Sequence, residues 1–314
     1  MKKELGIFIL LAVLCAITAI INPRFLAPVN LQNTARLIGA FGILSLGLGA
    51  VIITSGIDLS VGSVLALLGV LLSMAITQWH IPGFVAVLLI VVAAMGLGVL
   101  HGFLVAKVRI QPFIVTLCGL LFYRGAARFI ASDETKGFGN ATGLETLQNL
   151  AIGNIFGIPT PFVLLLVLSA VMWVLIHRSI YGRYLFAVGN NEDAARYSGI
   201  NARLMIASAY VVCGALTGIA AVIFAFYTNS VSPSSHGNFF ELYGIAAAVL
   251  GGCSLRGGEG SVIGILLGTA LLQVLQNLVN LIGIPSSLNF AVMGAVILLG
   301  VLADQLLKQR KVKA

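Results

Sequence analysis

The chain's 314 residues are 59% hydrophobic and only 9% charged, with a mean hydropathy of +1.07. Soluble domains carry about a quarter charged residues, so composition excludes a water-soluble globular protein and leaves one that crosses a membrane many times. The formal net charge of +8 gathers at Lys2 and Lys3, Lys107 and Arg109, Arg178 to Arg203, and Lys308 to Lys313; this is the positive-inside pattern of cytoplasmic flanks, and it leaves nucleic acid no surface to bind.

Lys2 and Lys3 followed by the apolar run Leu5 to Ile21 have the form of a signal peptide. Leu14, however, stands where a lipoprotein signal needs a small residue before Cys15, and no small-x-small site follows. The run therefore predicts a first span with its N-terminus inside. NPRFLAPVNLQN, within Asn22 to Arg36, predicts a short extracellular loop before a second span over Leu37 to Thr54. SGIDLSVGSVLALLG, Ser55 to Gly69, then breaks the apolar pattern before a helix from Val61. Asp58 or Ser60 caps that helix. Alternatively, the break lines a cavity, since irregular backbone at membrane depth is tolerated only there or inside protein. An acid at a span centre costs about 2.5 to 3.5 kcal/mol. Asp58 and Ser60 are accordingly candidates for a translocation path.

Spans over Phe84 to Ala106 and Pro112 to Ala131 follow, joined on the inner side by KVRIQPF. Arg124 and Arg128 share a face toward the outer end of the fifth span. They snorkel to headgroups, or they face a path or a docked solute-binding protein. Ser132 to Pro159 lies outside, and a sixth span, Pro161 to Ile176, returns to His177 and Arg178.

Gly182 to Arg203, between two apolar runs, carries Arg183, Glu192, Asp193, Arg196 and Arg203 and must lie in water. Asn191 can cap a short helix, Glu192 and Asp193 fall in its first turn, Arg196 follows Glu192 by four residues, and Gly199 stops it. So short a helix needs a partner surface.

A seventh span, Leu204 to Phe226, an outer loop NSVSPSSHGNFFE and a short eighth span from Leu242 to Leu250 lead to the inner loop GGCSLRGGEGS. That loop lacks GxxxxGK[ST] and follows no strand, so it does not read as a nucleotide site. The ninth span, Ser261 to Leu281, aligns Gln273, Gln276, Asn277 and Asn280 on one face. Hydrogen bonds between helices and a hydrated path for an uncharged polyol explain that stripe equally well. A tenth span ends at Asp304, with LKQRKVKA inside. GSVLALLG at Gly62 and GSVIGILLG at Gly260 hint at an internal repeat.

The predicted fold is all-α: a polytopic membrane helix bundle of about ten (8–10) transmembrane helices, some broken or reentrant, forming one domain over residues 1–314 with both termini cytoplasmic. Cys15, Cys118, Cys213 and Cys253 show no metal-like spacing. The four histidines, His80, His101, His177 and His236, are dispersed, and neither HExxH nor GxSxG occurs, so no enzyme is predicted. Asp58 apart, the acids read as lying in loops or at span ends, which gives ion coupling almost nowhere to reside. An ion-coupled secondary transporter is therefore the weaker alternative.

Four motifs in order, GIDLSVGS, IQPFIVTL, AVGNNEDAARYSGIN, and AVLGG with GGEGS, resemble the permease subunits of ribose-type monosaccharide ABC importers. The resemblance covers most of the chain. It implies a cytoplasmic coupling loop at 182–203, with Gly189, Asn191, Glu192, Ala194, Ala195, Arg196, Ser198 and Gly199 at the ATPase junction. It also implies a homo- or heterodimer in the bacterial inner membrane, ATP and Mg on a separate ATPase subunit, no cofactor in this chain, and delivery of sugar by a periplasmic or extracellular binding protein. Asp58, Ser60, Arg124, Gln273, Gln276, Asn277 and Asn280 are the candidate path residues. Branched-chain amino-acid and nucleoside permeases are relatives within the class, and an amino acid would need a counter-charge such as Arg124 or Arg128. The chain departs from the family at ELYGIAA, where Tyr243 and Gly244 replace the usual aspartate and alanine.

Overall fold

The computed structural model describes residues 2–139 and 144–285, together with isolated positions 288, 291, 292, 294, 295 and 298. The predicted tenth span lies outside the continuously described residues. Twelve α-helices carry the described fold: α1 (Lys2–Ile21), α2 (Pro28–Ile53), α3 (Val61–Thr77), α4 (Gly83–Ala106), α5 (Pro112–Ala131), α6 (Glu145–Ile152), α7 (Thr160–Trp173), α8 (Ile180–Asn190), α9 (Glu192–Tyr197), α10 (Ala202–Thr228), α11 (Phe240–Leu250) and α12 (Val262–Ile282). A π-turn, Val174–Arg178, extends α7. Among the described residues seven helices are long and apolar enough to cross a membrane: α1, α2, α4, α5, α7 with its extension, α10 and α12. The chain is a multi-pass membrane protein.

Two further apolar helices are short. α3 has 17 residues and α11 has 11; at about 1.5 Å per residue neither matches the roughly 30 Å of hydrocarbon. The predicted break before Val61 and the short eighth span are both present.

One span boundary differs from expectation, and α8 adds a helix over Ile180–Asn190 where only a polar segment was expected. The second span begins at Pro28 rather than Leu37, and only the 3-10 turn Pro23–Leu26 separates it from α1. Proline's fixed φ suits the first helical position, and the polar residues after it ride on the helix. Arg36 donates to Asn33 Oδ1 at 3.2 Å, and Asn30 donates to the Phe25 carbonyl at 2.9 Å.

α2 is the axis of the bundle, buried continuously from Gly39 to Ile53 and packed by α7, α10, α11 and α12. α10 crosses α4 along a seam of small residues. A side chain on Gly98 or Gly102 of α4 would strike the α10 backbone at Tyr210 or Ala207, the close approach expected of helices packing in lipid. Lipid-facing surfaces are apolar, as at Phe84, Leu88 and Val92 on α4 and Leu121, Phe122 and Phe129 on α5.

After α10 the chain turns back inward. Ser230–Val231 pairs antiparallel with Lys136–Gly137 beyond α5, and Gly237, at φ +71°, then packs on the backbone of Gly62. The N-terminal ends of the half-helices α3 and α11 thereby meet inside the bundle.

Candidate functional site

The buried junction forms where α2 unwinds. Residues 54–60 carry no helical structure, and Asp58 satisfies the freed backbone: its Oδ1 accepts from Ser60 N at 2.9 Å and from Ser60 Oγ at 2.6 Å. Ser60 holds the cap position of α3 without a side-chain cap bond of its own. Asp58 Oδ2 lies 3.6 Å from His101 Nδ1, and His101 Nε2 lies 2.9 Å from the Tyr123 hydroxyl. With the proton on Nδ1, the ring faces Asp58 as a donor and accepts from Tyr123. The Tyr210 hydroxyl donates to the Ile57 carbonyl at 3.2 Å, and Thr116 Oγ1, 2.9 Å from the Pro112 carbonyl, lies 3.3 Å from the same Ile57 oxygen. Asp58, His101, Tyr123 and Tyr210 are all buried. His101 is thus not an isolated histidine; its partners come from the α2–α3 break and α5, which no local motif announces.

Arg124 clamps the other side of this junction. Its Nη1 donates to the carbonyls of Pro233 at 3.0 Å and His236 at 2.8 Å, and its Nη2 to that of Gly62 at 3.4 Å. The reentrant segment is therefore tied to the start of α3. Arg128, one turn on, behaves differently: it is exposed and binds both carboxylate oxygens of Asp133, at 2.6 and 3.2 Å. That hydrogen bond holds the Asp133 carboxyl below the usual carboxylate range.

The expectation that Asp58 alone among the acids is internal is corrected by Glu241. It is buried in the first turn of α11, with its carboxylate lying against Gly62. Two carboxylates, from Asp58 and Glu241, thus serve the N-terminal end of α3, where unpaired N–H groups and the helix dipole favour negative charge. Glu241 looked like a loop acid because the inward turn of 229–239 has no sequence signature beyond its glycine and serines. Nearby, His236 Nε2 is buried without a hydrogen-bond partner. Tyr243, where the chain departs from the usual aspartate, packs edge-on against Phe41 with centroids 6.0 Å apart.

The second region is the polar arm. α8 starts on Ser179, whose side chain accepts from Gly182 N. α9 starts on Asn191, extended at φ −160° and accepting from Ala194 N at 2.9 Å. Gly199, at φ +83°, turns the chain out of it. Arg196 pairs with Asp193 at 3.6 Å rather than with Glu192. Asn191, Glu192, Ala194, Arg196, Ser198 and Gly199 are exposed, with Tyr197 almost wholly so at 93%. Ala195 is buried against the bundle, and Gly189 is also buried, since a Cβ there would strike the Ile53 carbonyl. An open groove of about 320 Å³ beside the arm is lined by Arg196, Gly199, Ile200, Asn201, Ala202 and Arg203.

The stripe on α12 divides. Asn277 and Asn30 of α2 exchange amide hydrogen bonds at 2.8 and 3.1 Å, an interhelical tie. Gln273 is buried one turn deeper with Oε1 unpartnered, and so is Thr34 Oγ1 one turn along α2 from Asn30. Gln276 is half-buried and Asn280 exposed. Among the described residues no cluster of His, Cys, Asp and Glu could hold a metal ion.

Residues 30–301 match the family model described as the permease component of branched-chain amino acid transport systems. The chain belongs to this permease family. Similar proteins include the ribose import permease protein of Escherichia coli K12, 37% identical over 94% of this chain and 92% of the relative. The ribose import permease protein of Bacillus subtilis 168 is 36% identical over 96% and 93%. The D-allose transport system permease protein of E. coli K12 is 29% identical over 97% and 92%. The chain is thus a permease component of a transport system.

Proposed function

We propose that this permease is the membrane subunit of an ATP-driven importer for a monosaccharide of the ribose type. It would work as a dimer in the bacterial cytoplasmic membrane, with both termini inside, fed by a solute-binding protein on the far side and driven by separate ATPase subunits that bind ATP and Mg. The observation that carries the reading is the arm at residues 182–203. A six-residue helix is marginal by itself, yet here it is capped at both ends and holds its polar face out of the bundle, as a surface made to be pushed upon would be. Gly189, Asn191, Glu192, Ala194, Ala195, Arg196, Ser198 and Gly199 would form the ATPase junction, the exposed ones making contact and Gly189 and Ala195 seating the arm. Asp58, Ser60, Arg124, Gln273, Gln276, Asn277 and Asn280 would line the translocation path.

An uncharged substrate is favoured over an amino acid by the state of the arginines. Arg124 spends Nη1 and Nη2 on backbone carbonyls, and Arg128 pairs with Asp133. In this reading, closure of the ATPases pushes α9 and rocks the bundle between inward- and outward-open states. The test is co-purification of the tagged permease with its ATPase and binding protein, followed by sugar uptake into vesicles. The variant Glu192→Arg with Ala194→Arg should remain in the membrane and lose uptake. Normal uptake by that variant overturns the reading.

A further inference from the structure

The glycine-rich loop at 251–260 is built into a three-way joint. Its Gly258 N–H donates to the Ile53 carbonyl at 2.9 Å, where α2 ends. Gly189, at the end of α8, packs so tightly on Ile53 and Gly258 that no side chain fits, and Gly257, at φ +82°, packs equally closely on Ser55. At the centre, Ser55 Oγ lies 2.9 Å from the Gly189 carbonyl and 2.9 Å from the Arg256 carbonyl. A serine hydroxyl has one proton and satisfies one of these acceptors at a time. Ser55 itself is left-handed at φ +63°, a conformation a non-glycine residue keeps only where its surroundings impose it. Three residues further on, the same unwound strand carries Asp58.

We propose that Ser55 is a positioning residue for transport, the link that passes displacement of the polar arm to the broken helix. The inference rests on the function proposed above. When the arm moves, Gly189 O leaves the hydroxyl and the proton turns to Arg256 O. The strand at 54–60 is thereby released from the arm and held by the glycine loop. Ser55 is thus a two-position tie between the surface that receives force and the junction that must yield to it.

The experiment uses the complete complex in proteoliposomes and measures ATP hydrolysed and sugar moved on the same preparation. Ser55→Gly removes the hydroxyl while keeping the left-handed backbone. Ser55→Asn tolerates that backbone and restores donors. Ser55→Gly should hydrolyse ATP at the unaltered rate and move about three- to tenfold less sugar per ATP, the range one hydrogen bond can account for. Ser55→Asn should recover most of the ratio. An unchanged ratio in Ser55→Gly, or a parallel fall of both rates with loss of thermal stability, overturns the inference and makes the residue a structural tie. Absence of ATP-driven uptake by the unaltered complex overturns the function reading and the inference with it.

Discussion

The buried junction around Asp58 and the exposed arm around Glu192 use the same small set of interactions, side-chain caps and ion pairs at helix ends, to opposite effect. At the junction, every polar partner of Asp58 is itself buried, and Arg124 and Glu241 close the other side. Removing any one member strands another in a place water does not reach. In the arm, Asn191 and Ser198 close their hydrogen bonds within four residues, and the charges of Glu192, Asp193 and Arg196 stand in water. The junction is over-determined by long-range contacts and can change only as a unit, whereas the arm is a locally specified surface that can be repositioned whole. A machine that turns a push at its surface into opening within its core needs both kinds of region.

The largest effect is expected at Asp58. Asp58→Ala leaves the Ser60 N–H, the Ser60 hydroxyl and His101 without their acceptor, and should destabilise the detergent-solubilised permease by about 3 kcal/mol. The measurement is thermal unfolding. The double variant Asp58→Ala with His101→Leu should recover part of that loss, because an uncompensated polar group costs more than a missing pair. If Asp58→Ala unfolds at the unaltered temperature, the junction is not the rigid half of the comparison.

Next comes Gly62→Ala. The added methyl would collide with the Gly237 carbonyl and the Glu241 carboxylate, a clash with backbone that rotamer change cannot relieve. Overpacking of this kind costs about 1 to 3 kcal/mol. Separation of the two half-helix ends should also appear as faster hydrogen exchange at the start of α11. Gly199→Ala, facing open space, meets no such collision and carries only the strain of its positive φ.

How much of this was legible follows the same division. The arm could be read almost residue by residue: Asn191 as cap, the acids in the first turn, and Gly199 as stop are rules that act within one turn of helix. Two things differed: Asp193 takes the place of Glu192 as the partner of Arg196, and the first half of the arm is itself a helix, α8, that was not expected. The break before α3 was equally plain in SGIDLSVGS. What the sequence could not convey was which groups meet there. His101, Tyr123 and Glu241 lie on three other helices, and nothing local distinguishes a histidine inside an apolar helix that finds a carboxylate from one that does not. The start of α2 was misplaced for a related reason: polar residues after Pro28 read as loop, when Asn30 is polar because Asn277 faces it across a helix pair.

Within the arm, replacing the cap residue should give a smaller and more local effect than any change at the junction. Asn191→Ala removes the acceptor for Ala194 N and should cost about 1 kcal/mol of helix stability. Exchange should quicken at residues 194–198 while the unfolding temperature of the bundle stays put. A drop in bundle stability as large as that of Asp58→Ala would erase the distinction between the regions.

The smallest effect separates the two acids of the same turn. Both Glu192 and Asp193 sit where the helix dipole favours negative charge, but only Asp193 approaches Arg196, at 3.6 Å with both side chains well exposed. Glu192→Gln should therefore lose the dipole contribution alone, and Asp193→Asn should lose that and the pair, a further difference of about 0.3 kcal/mol. Exchange at residues 194–198 measured for both variants at low and high salt resolves it: the excess loss in Asp193→Asn should vanish in about 1 M salt, where the screening length falls to roughly 3 Å. If Glu192→Gln is instead the more damaging and the more salt-sensitive, then Arg196 turns to Glu192 in the working state, and the arm's charge pairing shifts as it engages its partner.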